Sequence, residues 1–214
     1  MKPKEMYKMM LSESITPLFK EKGYKKKNNV FVREYPEVVQ IVHLAASSWN
    51  LPDYYDFSID FTLFSKPYFA LMQYELPKSW FNSTLYRPIL GGNIQLLKSP
   101  RGYIPDYHIV SETNMNKVAE ALRSDLVDYI LPYIDPLWST DALIKAIEVA
   151  KGQDIFGSLP NIHDEIILYY SLDHKEIAQE KLSEALSIEH ENPYYKPKLI
   201  EIAEKLGLNY FNLI

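Results

Sequence analysis

The sequence predicts an α+β fold: an N-terminal helix, an antiparallel sheet of about four strands covered on one side, and an all-helical C-terminal half. Residues 54–64 alternate between apolar and polar side chains, which is typical of a strand with one buried and one wet face. From Thr113 onward, apolar residues recur at helical spacing instead. We therefore divide the 214 residues into a sheet region, 1–112, and a helical region, 113–214, packed as one unit.

The first element is predicted as a helix over residues 4–22. Its apolar stripe consists of Tyr7, Leu11, Ile15 and Leu18. Because Pro17 has no amide hydrogen, we expect either a kink or a fresh helix start with Thr16 as the N-cap. Gly23 ends the helix by taking a positive φ, and residues 28–29, both Asn, form a turn before the first predicted strand.

Three strands follow, over residues 30–35, 38–46 and 54–64. The second is rich in β-branched residues without clean alternation, which indicates a central strand. The apolar face of the third consists of Tyr55, Phe57, Ile59, Phe61 and Leu63, and its polar face of Asp56, Ser58, Asp60 and Thr62.

Residues 65–103 mix proline, glycine and aromatic residues and predict irregular structure. Within them we expect a short helix near residues 68–74 and a strand near residues 93–97. A last strand over residues 103–110 completes the sheet, and Pro105 places that strand at an edge.

The helical half is predicted to contain five helices. They span residues 113–132, 140–152, 162–172, 174–188 and 197–206. Pro132 closes the first helix and Ser139 caps the second. Asp173 and Glu176 have the spacing of a capping box for the fourth, and Gly207 ends the last.

The composition excludes several kinds of site. Without cysteine, the chain can form no disulfide, thiolate zinc site or cysteine nucleophile. Residues 1–8 carry charges where a signal peptide has its apolar stretch, and no apolar run approaches the ~20 residues of a membrane span. We expect a cytoplasmic protein that makes no contact with a membrane.

Two segments are similar to a known family. The first is LFKEKGYKKK, residues 18–27, followed by the strand pair at 30–33 and 38–42; the second is ILPYID, residues 130–135. Together they resemble an uncharacterised bacterial family, domain of unknown function 4304, whose members open with a helix, a Gly-aromatic-Lys-Lys signature and a strand pair. The resemblance implies this order of elements and no chemistry, because the family has no established activity.

The middle of the chain departs from that family. Similar proteins tend to carry an Arg-Ile/Leu-Gly segment and a Trp pair before the long helix, where this chain has residues 91–94 and 103–108. The departure implies that this chain differs in specificity if the family's role resides there.

The sheet carries two pairs of groups that suggest chemistry. Asp56 and Asp60 share a polar strand face, but four residues of strand span about 13 Å. That distance is too long for one cation or for the carboxylate pair of a glycosidase. His43 and His108 are the two histidines predicted on the sheet, where cross-strand pairing can bring them together. Because motifs for a metal, a serine nucleophile, a phosphate loop or a dinucleotide are missing, we expect neither metal nor cofactor.

Charge is distributed unevenly along the chain. Residues 1–33 carry nine Lys or Arg and three Glu, a net charge of +6, whereas the remainder carries −11. The basic segment consists of Lys20, Lys22, Lys25, Lys26, Lys27 and Arg33, interleaved with Tyr24 and Phe31. Such a segment can bind phosphates and stack on bases, although basic runs are also common in solvated turns. Residues 152–214 form the acidic counterpart, at −6.

Three hypotheses of function follow. The leading one is a non-enzymatic bacterial protein-binding domain, for example an immunity-type inhibitor whose acidic surface blocks the cationic groove of a toxin. The second is an enzyme with its site on the polar sheet face around Asp56, Ser58, Asp60 and His43. The third is nucleic-acid binding through the basic segment. The candidate binding residues are Tyr24, Lys25, Lys26, Lys27, Arg33, Asp56, Asp60, Trp80 and His108; the partner and the oligomeric state stay open.

Overall fold

The computed structural model describes residues 1–72, 76–85, 88–99, 106–152, 159–188 and 194–211. It confirms the predicted α+β architecture, with an N-terminal helix, an antiparallel sheet and a helical C-terminal half. The described sheet has six strands rather than about four, because Lys25–Lys27 and Leu90–Asn93 pair as short additional strands.

The N-terminal helix continues through Pro17. α1 (Pro3–Met10) passes through a π-helical segment, Leu11–Ile15, into α2 (Thr16–Glu21). The wider turn accommodates the proline: both the amide and the hydroxyl of Thr16 bond to the carbonyl of Leu11, five residues back. The predicted fresh start is wrong, because Thr16 has helical φ and ψ and caps nothing. Gly23, at φ 81°, ends the helix as expected.

The strands follow a simple order. They are β1 (Lys25–Lys27), β2 (Val30–Glu34), β3 (Val38–Ala46), β4 (Tyr54–Ser65), β5 (Leu90–Asn93) and β6 (Tyr107–Val110). β1 to β4 lie side by side in chain order, and β5 and β6 pair with successive parts of the free side of β4. β3 is central, as predicted. The described part of the predicted edge strand 103–110 is β6, and residues 103–105 lie outside the described residues.

One face of the sheet, the helix face, packs against the N-terminal helix and the long helix that begins at Met115. Phe19 stacks on Phe31 with ring centroids 4.0 Å apart, and Phe61 contacts Tyr133 at 5.3 Å. The predicted alternation of β4 is confirmed, since Phe57, Ile59, Phe61 and Leu63 are buried on this face. Burial of these apolar side chains is the main stabilising term available to the sheet.

The opposite face divides into two halves. At one end Phe64 packs against Phe69 and Trp80, with the ring centroids of Phe64 and Trp80 5.2 Å apart. At the other end the side chains are polar and partly exposed. We call this half the polar face; it consists of His43, Asp56, Ser58, Asp60 and His108.

The remaining segments are helical. They are α3 (Lys66–Leu71), a 3₁₀ segment (Trp80–Leu85), α4 (Ile94–Lys98), α5 (Met115–Asp125), a second π-helical segment (Leu126–Ile130), α6 (Leu131–Ile134), α7 (Thr140–Gly152), α8 (Ile162–Ser171), α9 (Lys175–Ser187) and α10 (Tyr195–Leu206). The helical half is tied to α3 by hydrogen bonds from Tyr68 Oη to Asp164 at 2.8 Å and from Lys205 Nζ to Met72 O at 2.7 Å.

Three local predictions are wrong. The strand expected near residues 93–97 lies earlier, as β5 (Leu90–Asn93), and Ile94–Lys98 forms helix α4, because the Asn93 side chain accepts the amide of Leu96 as an N-cap. Pro132 does not close its helix, which takes a π-turn before the proline and ends at Ile134. Asp173 caps nothing; it has φ 61° and lies between α8 and α9.

Other local predictions are confirmed. Ser139 caps α7 by accepting the amide of Ala142 at 3.2 Å. Gly207, at φ 68°, ends α10. The short helix expected near residues 68–74 is α3, which begins two residues earlier, and residues 73–74 lie outside the described part of the chain.

A buried polar network joins the sheet to both long helices. Gln40, on β3, is fully buried on the helix face. Its Oε1 accepts hydrogen bonds from Tyr24 Oη at 3.0 Å and from Arg33 Nε and Nη2 at 3.0 and 2.6 Å. Its Nε2 donates to Ile134 O at 2.5 Å and Leu137 O at 2.9 Å, just after α6. Arg33 also pairs with Asp135. We call Tyr24, Arg33, Gln40 and Asp135 the Gln40 network.

Gln40→Leu tests how much the fold depends on this network. The substitution keeps the volume but leaves two carbonyls and parts of Tyr24 and Arg33 without partners, so we expect the free energy of unfolding to fall by about 3 kcal/mol or more. Urea denaturation of both proteins measures the difference. Asp135→Asn is the matched control: it retains an oxygen for Arg33 and should cost less. A Gln40→Leu variant as stable as the wild type would show that the network does not hold the fold.

Candidate functional site

The residues of the basic segment have different roles in the structure. Tyr24 and Arg33 belong to the Gln40 network, and the Arg33 guanidinium lies 4.5 Å from the Tyr24 ring centroid. Lys26 turns toward the N-terminal helix, where its Nζ donates to Thr16 Oγ1 at 2.8 Å. Burial, with a smaller effect from Lys20, lowers the pKa of Lys26. Lys25 and Lys27 are exposed on the opposite face of edge strand β1. Lysines at such an edge also prevent pairing with other chains.

Trp80 is buried, with 5 % of its surface exposed. Its ring packs against Phe64 and Phe69 and so has a structural role. Tyr68 and Phe69 are buried as well. The described aromatics of residues 65–107 therefore give little support to a recognition surface in this part of the chain; Tyr74, Tyr86 and Tyr103 lie outside the described residues.

The polar face contains two separate His–Asp pairs. His43 lies opposite Asp60 on β3 and β4, whereas His108 lies opposite Asp56 on β6 and β4. His108 Nδ1 and Asp56 Oδ1 are 2.5 Å apart. Because β3 and β6 flank β4 on different sides and the pairs are offset by four residues, the two histidines do not meet. Among the described residues no group of three His, Asp or Glu side chains is arranged to hold a metal ion.

The hydrogen bonds of Asn29 determine the tautomer of neutral His43. Asn29 Nδ2 lies 3.0 Å from His43 Nε2 and donates its other hydrogen to Leu44 O at 2.8 Å. The ring nitrogen must accept, so the imidazole proton lies on Nδ1. Burial lowers the pKa of His43 below 6.5, and the Asp60 carboxylate opposes this shift in part. Burial raises the pKa of Asp60, while Ser58 and His43 lower it.

The loop between β3 and β4 presents an exposed tryptophan. We call residues 47–53 the hairpin tip. Trp49 is 81 % exposed and Leu51 is 56 % exposed. The Asn50 side chain closes the loop: its Oδ1 accepts the Asp56 amide at 2.6 Å and its Nδ2 donates to Asp56 O at 2.9 Å. Tyr54 Oη donates to Trp49 O at 2.8 Å, and the Trp49 amide donates to the Ser47 hydroxyl at 3.1 Å.

Sequence reasoning missed the hairpin tip. The pattern Ser-Trp-Asn-Leu-Pro-Asp at residues 48–53 contains the turn residues Asn, Pro and Asp around two large apolar side chains. Because a turn does not bury such side chains, this combination of residues could have indicated an exposed apolar surface. Trp138 is also exposed, at 56 %, but it lies next to Leu137 at the Gln40 end of the sheet.

The two segments that carry the family resemblance meet in the Gln40 network, through Tyr24 from the first and Ile134 and Asp135 from the second. A family model, domain of unknown function DUF4304, matches residues 15–136. The chain belongs to this family. The match covers the N-terminal helix from Ile15, all described strands and the long helix through α6. No curated protein and no solved structure matches the chain.

The DUF4304 match ends at residue 136, between Ile134 and Leu137, whose carbonyls both accept hydrogen bonds from Gln40. Residues 137–214, with α7 to α10, lie beyond it. Within the described helices, none is long and apolar enough to cross a membrane.

The pKa of His43 predicts a loss of stability on mild acidification. A histidine whose pKa is lowered in the folded state favours folding fully above its unfolded pKa, near 6.5, and less as the pH falls below that value. We expect the urea midpoint of the wild type to fall between about pH 7.5 and about pH 5.5 by more than that of His43→Gln, which cannot titrate. The contribution of Asp60 to stability changes with pH in the opposite direction, because its pKa is raised in the folded state. Asp60→Asn measures that contribution separately. Identical pH profiles for the wild type and His43→Gln would contradict the assignment.

Proposed function

We propose that this DUF4304 protein is a non-enzymatic protein-binding domain of the bacterial cytoplasm, with the hairpin tip as its contact surface. The observation that carries the proposal is the indole of Trp49, 81 % exposed on a loop closed by side-chain hydrogen bonds. Tryptophan is among the residues that contribute most to protein interfaces.

The closed loop lowers the cost of binding. A flexible loop loses conformational freedom when it docks, whereas a loop already ordered by Asn50 and Tyr54 has lost that freedom on folding. The exposed Leu51 adds apolar area beside Trp49. An immunity-type inhibitor is one concrete version of the proposal, since such proteins block a toxin by covering its functional surface.

Site-specific cross-linking tests the proposed surface in the source cells. A photoreactive amino acid replaces Trp49 in one variant and Trp138 in another. Gln40 and Ala46 are six residues apart on β3, so the hairpin tip lies about 20 Å or more from the end that carries Trp138. We expect a discrete protein adduct from position 49 and none from position 138. Adducts of equal yield from both positions, or none from either, would remove the proposal.

Trp49→Ala gives the energetic test of the same contact. We expect the captured partner to bind at least about thirtyfold more weakly, as for a central interface tryptophan. The unfolding midpoint should stay unchanged, because the exposed indole contributes little to folding. Trp138→Ala is the matched control and should bind as the wild type does. Calorimetric titration of the partner with the three proteins measures the affinities, and urea denaturation of the same proteins measures the unfolding midpoints.

The polar face supports the second candidate, an enzyme. The observation that favours it is the partly exposed pair of His43 and Asp60, with pKa values displaced in opposite directions and Ser58 bonded to Asp60 at 3.2 Å. Against it, His43 Nε2 is already bonded to Asn29. A hydrolase activity that disappears in both His43→Gln and Asp60→Asn, with Trp49→Ala unaffected, would establish it.

Nucleic-acid binding through the basic segment is the weakest candidate. Lys25 and Lys27 point away from Lys26, and Arg33 is paired with Asp135. Binding of a labelled oligonucleotide that weakens with salt and with Lys25→Ala/Lys27→Ala would support this candidate.

A further inference from the structure

His108, on β6, lies beside the two residues of β4 that hold the hairpin tip. It is opposite Asp56 in the β4–β6 pairing, and its Nδ1 lies 2.5 Å from Asp56 Oδ1. Its imidazole also stacks on the ring of Tyr54, with centroids 5.9 Å apart and planes inclined by 29°. Because Tyr54 and Asp56 are two residues apart on one strand, both side chains are on the same face of the sheet as His108.

Tyr54 and Asp56 hold the tip in different ways. Asp56 uses its backbone, which bonds to the Asn50 side chain and accepts the Ser47 amide at 2.9 Å. That backbone is also fixed by pairing with β6. Tyr54 instead uses its side chain, whose hydroxyl donates to Trp49 O. The bond to Trp49 therefore depends on what keeps the half-buried Tyr54 ring in place, and His108 is the ring stacked on it.

We propose that His108 is a positioning residue for the hairpin tip, an inference that rests on the function proposed above. The Asp56 carboxylate accepts the Nδ1 hydrogen of His108 and fixes the imidazole. The imidazole fixes the Tyr54 ring, and the Tyr54 hydroxyl holds the carbonyl of Trp49. His108 thereby strengthens partner binding without touching the partner, because a tip that is already ordered loses less conformational freedom on docking.

The exposure of the His108–Asp56 pair agrees with a local role. His108 is exposed and Asp56 is half-buried, and such a pair contributes little to global stability. The second pair of the polar face has different neighbours. Among the described residues, the side chains of His43 and Asp60 form hydrogen bonds to Asn29 and Ser58, which lie outside the tip. His43 therefore provides a matched control on the same face of the sheet.

Chymotrypsin is the probe for the order of the tip in the free protein. The protease cuts the Trp49–Asn50 bond only when this backbone leaves its ordered position, so the rate of cleavage reports local opening. His108→Val removes both the bond to Asp56 and the ring beside Tyr54. We expect it to be cut about fivefold faster, the equivalent of about one hydrogen bond, with an unchanged urea midpoint. Mass spectrometry identifies the cut.

Two further variants separate positioning from a general loosening. Tyr54→Phe should be cut at least as fast as His108→Val, and the double variant no faster than Tyr54→Phe alone, because both changes break the same connection. His108→Phe, which restores a ring beside Tyr54, should be cut more slowly than His108→Val. The control His43→Gln should change by less than about twofold.

Four results would overturn the positioning role. They are an unchanged rate in His108→Val, rate increases that multiply in the double variant, no rescue by His108→Phe, and an increase in His43→Gln equal to that in His108→Val. The first would show that the Tyr54 ring needs no support, and the second that His108 acts by another route. The last two would show that the tip responds to any change on the polar face.

The protein captured at position 49 tests the consequence for binding. We expect it to bind His108→Val about fivefold more weakly than the wild type, since the tip must then be ordered on docking. Equal affinity would overturn the link between His108 and recognition. Failure of the cross-link at position 49 removes the proposed function itself, whereas the cleavage rates of the free protein decide the positioning role in either case.

Discussion

The side chain of Gln40 is the point on which the fold depends most. Its amide is fully buried, and an amide without hydrogen-bond partners in an apolar interior costs several kcal/mol, on the order of 2–7. Every partner comes from another part of the chain: Tyr24 from the end of the first helix, Arg33 from β2, and two carbonyls from the end of α6. The network can form only when the sheet and both long helices are in place, so it specifies their relative positions.

The same arrangement gives the two ends of the sheet different properties. At the Gln40 end, buried hydrogen bonds and the Arg33–Asp135 pair lock β2 and β3 to the helices. At the other end, the β3–β4 hairpin extends past the network, and its tip is ordered by short-range hydrogen bonds from Asn50 and Tyr54. A rigid scaffold that carries an exposed, locally ordered loop is the usual arrangement for a recognition site.

On the polar face, contacts between neighbouring side chains limit their ability to act on a substrate. Each histidine there has its own carboxylate, and Asn29 occupies one nitrogen of His43. Groups that are already bonded to neighbours need a rearrangement before they can act on a substrate. The hairpin tip needs none, because its apolar side chains are exposed as the protein stands.

The sequence alone determined the features that depend on a few neighbouring residues. The alternation of β4, the positive φ of Gly23 and Gly207, and the cap at Ser139 follow from side-chain period and local backbone geometry. Tertiary structure decided the rest. Arg33, a candidate binding residue, is part of a buried network, and Trp80, another candidate, is in the core. Trp49, which the sequence analysis did not select, is at the surface. Burial depends on which distant segment packs against a side chain, and that information is not contained in any short stretch of sequence.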